Sequence, residues 1–241
     1  RTVTVVVEAV KTDGETAPAV APARMFLPGE APGTPGLRTS MPLARLIPQG
    51  ACDELTLLTG GACTVTVTAE AGDTATAESY RVSEAGLHLF RFDTRDFPGA
   101  ERVTVDAGEC GAVNYSVIPA VRDGVRLAWR SSAGSIEHYT FPVVRTMTVR
   151  AERREAEGPE GRVVAASSAG RETLLASAYE GQAVLEALAC LTAAPEVWIA
   201  EGDVYTPVCV VTDEAVVRRH GTLCCLEIAI RPKCKSRVSW N

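Results

Sequence analysis

The feature that most constrains this fold is the alternation in "ACTVTVTAE", where Cys63, Val65 and Val67 are separated by Thr64, Thr66 and Thr68. A period of two sends apolar and polar side chains to opposite faces, which is the pattern of a half-buried β-strand. The same grammar returns in "GLHLFRFD", "RVTVDAG" and "GAVNYSVIP", with "AGDTA" and "DFPGAE" as turns between them. Short strands at such spacing, punctuated by Gly, Asp and Pro, predict a β-sandwich or a small barrel.

Two further blocks extend the pattern. In residues 124–150, "GVRLAWR" and "IEHYTFPVVRTMTVRAER" flank the turn "SSAGS" and predict a hairpin, with Pro142 marking an edge or a bulge. The charged "REAEGPEGR" is read as a turn leading into "RVVAASS". "EGQAVLEALACLTAAP" then predicts the single helix, about 180–193. Val184, Leu185, Leu188 and Leu191 share one face, and Pro195 closes it. "EVWIAEGDVYTPVCVVTD" predicts a second hairpin, and "GTLCCLEIAIRPK" an alternating strand.

The expected fold is therefore mainly β, turning α+β in its C-terminal part. A first strand ("TVTVVVEAV") and a Pro/Gly-rich arm occupy residues 1–40, with the arm read as a long loop over 11–40. A β-sandwich-like domain covers 41–122. A β-barrel or sandwich with one flanking helix covers 123–241.

Composition sets the function classes. Hydrophobic residues make up 46% and charged residues 22%, which is a globular balance and not a disordered one. A net charge of −6 opposes nucleic-acid binding, which needs a basic stripe. No apolar run reaches the roughly eighteen residues of a membrane helix, so no membrane partner is expected. The opening shows no signal-like charged-then-apolar segment.

The eight cysteines form no CxxC pair, and the three histidines lack zinc-ligand spacing, so no metal site is expected. Most of these cysteines sit in apolar runs and read as small buried hydrophobes, free thiols of a reducing compartment. Cys63 and Cys110 are the pair to check for a bridge, since both fall in the first β region.

Chemistry is hard to find. Glu137 and His138 are adjacent, so in a strand they point to opposite faces and do not act on one group. His138 reads as a strand histidine on a partly exposed face, without a positioned partner. "SAGR" and "SSAGS" lack the G-x-S-x-G elbow, and "TLLTGGAC" lacks the lysine of a phosphate loop. Asp93, Asp96, Glu101 and Asp106 read as a solvated rim. No catalytic residue and no cofactor is expected.

The run "VRAERREAEGPEGR" is a solvated hairpin tip or, at the rim of an oligomer, a device that sets register by charge. Aromatics are only 5% of the chain, yet Trp129, Tyr139 and Phe141 cluster in one hairpin. Two readings stand: a packed sheet face, or an inter-subunit surface. On the second, Trp129, Arg130, His138, Tyr139 and Phe141 are the candidate partner interface.

The set "VRLAWRSSAGSIEHYTFP", then "LEALACLTAAPEVWIAEGDVYTPVCVVTD" and a closing alternating strand resembles phage tail or baseplate structural proteins of gut Bacteroidetes, over about residues 115–235. The resemblance implies a non-enzymatic role in a virion or prophage-derived particle. It also implies a barrel with a flanking helix, and partners that are further copies in a homo-oligomeric ring and other tail proteins. Such a protein would sit in the bacterial cytoplasm during assembly and then in the particle. In this setting residues 1–40 become an arm that adds a strand to a neighbour. The alternative is a secreted or cell-surface adhesion or carbohydrate-binding module.

Overall fold

The computed structural model describes residues 2–3, 6–10, 16–20, 24–25, 34–159, 161–217, 224–233 and 236–238. Residues 1–32 and 33–241 form two separate compact units.

In the first unit, β1 (Thr2–Val3) pairs antiparallel with β4 (Arg24–Met25), and β2 (Val6–Val10) with β3 (Thr16–Val20). The opening stretch, read as one strand, is therefore two. The Pro/Gly-rich stretch, read as a loop over 11–40, carries β3 and β4, and its end at Gly36–Arg38 is already a strand of the sandwich. Pro18 is tolerated opposite Glu8 because in a two-stranded ribbon each strand has one unpaired edge.

The second unit begins with a sandwich. Its strands are β5 (Gly36–Arg38), β6 (Ala44–Pro48), β7 (Cys52–Thr59), β8 (Cys63–Ala71), β9 (Thr74–Val82), β10 (Gly86–Asp93), β11 (Arg102–Asp106) and β12 (Ala112–Ile118). One sheet runs β10-β7-β5 and the other β6-β12-β11-β8-β9, with β12 and β6 parallel. The expected alternation in β8 holds: Val65 and Val67 are buried and the threonines between them are not. These valines meet Val103, Val105 and Val113 of their own sheet and Leu55, Leu57 and Phe92 of the other. Each large apolar side chain so buried contributes about 1.5–3 kcal/mol. The β8–β9 turn is Gly72-Asp73, with Gly72 at φ 55°, a position a Cβ would strain.

The barrel region follows with β13 (Val125–Arg130), β14 (Ile136–Phe141), β15 (Val143–Gly158), β16 (Gly161–Ala176), α1 (Gln182–Ala189), β17 (Val197–Glu201), β18 (Val204–Val210), β19 (Glu227–Pro232) and β20 (Ser236–Val238). The sheet runs β14-β13-β17-β18-β19-β16-β15, with β20 on β16. Its two end strands, β14 and β15, are joined by Pro142 alone, so the sheet must curl until its edges meet there. The helix lies where the 3,4 spacing placed it and ends in a 3₁₀ turn, Cys190–Ala193. Ala194, before Pro195, is already extended, as the proline ring requires. Leu185, Leu188 and Leu191 of the helix enter one core with Trp129, Phe141 and Ile228.

Candidate functional site

The hairpin singled out by its aromatics is interior. Trp129 and Phe141 have no exposed surface, and Tyr139 is 9% exposed. Tyr139 and Phe141 meet edge to face at 5.0 Å, and Tyr139 donates to Glu180 Oε1 at 2.8 Å. Of the two readings of these aromatics, packing is the one realised, because the helix closes over this face of the sheet. Arg130 alone of the five candidate interface residues reaches solvent, and it is paired with Glu196 at 2.6 Å. For Trp129, His138, Tyr139 and Phe141 the interface reading is corrected: buried side chains offer nothing to a partner.

His138 is the second correction. It is 3% exposed, and its partner is Asp53 at the start of β7, with Nδ1 3.0 Å from Oδ1. The contact is close, but its angle is too poor for a linear hydrogen bond. Its other nitrogen lies 3.1 Å from Tyr205 Oη and 3.8 Å from Glu54 Oε2. Alternation sends Glu137 and His138 to opposite faces, and both faces of β14 are covered. Glu137, His138 and Tyr139 are all buried: β7 of the sandwich covers His138, while Thr39, Ser40 and Arg45 cover Glu137, and Glu180 and the helix core cover Tyr139.

Glu137 holds the other side of this junction. Its carboxylate accepts from Ser135 Oγ (2.6 Å), from the Ser40 backbone N–H (2.8 Å) and from Thr39 Oγ1 (3.0 Å). Arg45 stands between the carboxylates, 3.5 Å from Asp53 and 3.6 Å from Glu137. Arg126 donates to the Cys52 carbonyl at 2.6 Å and lies 3.6 Å from Asp53. The chain of contacts Glu137–Arg45–Asp53–His138 therefore stitches the sandwich to the barrel.

Burial pushes the Asp53 carboxyl up. The His138 contact and the charges of His138, Arg45 and Arg126 outweigh it and hold Asp53 well below the usual carboxylate range. At Glu137 burial wins despite its donors, and the carboxyl is raised. Burial also raises the Tyr205 and Tyr139 hydroxyls, helped by the Glu54 and Glu180 charges respectively. The His138 side chain is closed to solvent, and the groups around its nitrogens are Asp53, Glu54 and Tyr205. This geometry suits a rigid joint: the imidazole is held from both sides by side chains of fixed position. Among the described residues no group of His, Cys, Asp and Glu is arranged to hold a metal ion. Cys63 and Cys110 are both free thiols, and Cys234 lies outside the described residues.

The feature that faces outward is a hairpin whose length the sequence concealed. β15 and β16 each run for 16 residues, joined through 159–160. The stretch read as a charged turn, "REAEGPEGR", is mostly strand. β19 covers β16 only over Thr173–Ala176, and β20 only over Ser167–Ala169. Beyond Met147, the partner of Thr173, β15 therefore extends for roughly 35 Å at strand rise. Residues 145–157 are exposed, including Met147 at 64% and Val149 at 65%. Among the described residues nothing pairs with the outer edge of β15.

No family model matches the chain, and no curated protein matches it.

Proposed function

We propose that this chain is a non-enzymatic structural protein that works by assembling with other subunits, as a ring or connector component of a phage tail or tail-like particle does. The observation that carries the reading is the β15–β16 arm. A long, two-sided exposed strand with a free edge is a template for strand addition, and monomeric proteins blunt such edges with short strands, prolines, bulges or charges; the charges on this edge carry both signs, so a partner strand can match them. Here the edge runs from Thr146 to Gly158 without a proline, and its one register irregularity lies toward β16. The sandwich and the barrel core serve the arm as a rigid base, locked by the Asp53–His138 and Arg45–Glu137 contacts. The resemblance over residues 115–235 gives the particle type. Its partners are then copies of itself and other tail proteins, met in the bacterial cytoplasm and retained in the particle.

The test is a variant in which 149–171 is replaced by Asn-Gly, closing the hairpin just beyond the Thr148–Glu172 pair. Light scattering across a concentration series should show the full chain growing into a defined oligomer and the shortened chain staying monomeric. Equal masses for the two at every concentration would sink the proposal.

A further inference from the structure

Resting on that reading, we infer that the partner of β15 is the β15 strand of a second copy, paired antiparallel about a two-fold axis through Ala151. A two-fold relating neighbouring antiparallel strands stands perpendicular to the sheet and keeps each side chain on its own face. The register must therefore place some residue opposite itself, and only a few choices exist. Centred on Ala151, Arg150 faces Glu152 of the other copy, and Glu152 faces its Arg150. Val149 then lies opposite Arg153, Thr148 opposite Arg154, and Met147 opposite Glu155.

Among centres from Val149 to Ala156, this register alone sets Arg against Glu and never sets a charge against its like. Centres on Arg150, Glu152, Arg153, Arg154 or Glu155 oppose a charge to itself. A centre on Ala156 sets Glu155 against Glu157, and one on Val149 opposes no charged pair over the regular part of the strand. Like charges directly opposite destabilise a sheet and opposite charges stabilise it, so the charge run specifies the partner and the register together. All of these side chains are exposed and available in the single chain. The nearest internal competitor is weak: Arg150 reaches Glu172 at 3.9 Å on an exposed face.

The experiment uses the full chain. Arg150→Glu and Glu152→Arg each turn two attractive pairs into two repulsive ones and should raise the dimer dissociation constant about tenfold or more. Mixing the two variants restores complementarity, and so does combining both changes in one chain. At concentrations where the chain is monomeric, melting temperatures should not move, since both sites are exposed in the single chain. In an otherwise unchanged chain, Ala151→Cys oxidised with diamide should yield a peptide linked 151 to 151 in the mass spectrum. Assembly that is untouched by the charge variants, with no such link, overturns the register while leaving an assembly role standing. A chain that is monomeric throughout overturns both.

Discussion

Glu137 and His138 leave β14 on opposite sides, yet Arg45 and Asp53 join them into one buried network. Removing one member of such a network strands the others, at a cost of about 3–5 kcal/mol. Asp53→Ala should therefore lower the urea midpoint severely, whereas Arg130→Ala, which breaks a half-exposed pair, should cost under about 1 kcal/mol. The two carboxyls respond to pH with opposite signs. Asp53 is depressed, so its contribution is present at neutral pH and is lost only as pH falls below the usual carboxylate range. Glu137 is raised, so its folded state takes up a proton first, and the protein gains stability as pH falls through that raised value toward the ordinary one. Glu137→Gln should remove that gain, which denaturation at a series of pH values measures; an unchanged slope would contradict it. None of this was legible from residues 137 and 138 alone. Their charged partners come from β6 and β7, and charges beside each other in a strand carry no mark of what lies across a junction.

At the scale of elements, the sequence was most informative where one face is buried. Val65 and Val67 between threonines fixed β8, and Leu185, Leu188 and Leu191 fixed the helix, because period and burial have one cause. The arm failed the same test for the opposite reason. The returning strand is legible as far as Arg153, but residues 154–157 bury neither face and carry no hydrophobic period, so with Gly158 and Pro159 they read as a turn. Trp129 was legible as important but not as buried, since aromatics anchor cores and interfaces alike. Trp129→Ala should cost about 3–5 kcal/mol of stability. At concentrations where the chain is monomeric, shortening the arm at 149–171 should leave the melting temperature of the remaining unit nearly unchanged, because that segment adds nothing to either core and loses only the short pairing with β20. Calorimetry on the two variants separates a core residue from an exposed arm.

At the scale of the molecule, residues 33–241 join a sandwich and a curled sheet into one unit, with a polar joint between two apolar cores. Such a joint is rigid without being greasy: its charges are matched by partners at fixed geometry, which holds the base of the arm in one orientation. An arm on a stiff base loses little freedom on pairing, which favours assembly. The most direct measurement is amide hydrogen exchange of the full chain across a concentration series. The outward-facing amides of 146–156 should gain protection as concentration rises, while those of the helix and of β8 stay constant. Exchange at those arm amides that stays fast at the highest concentration would contradict it.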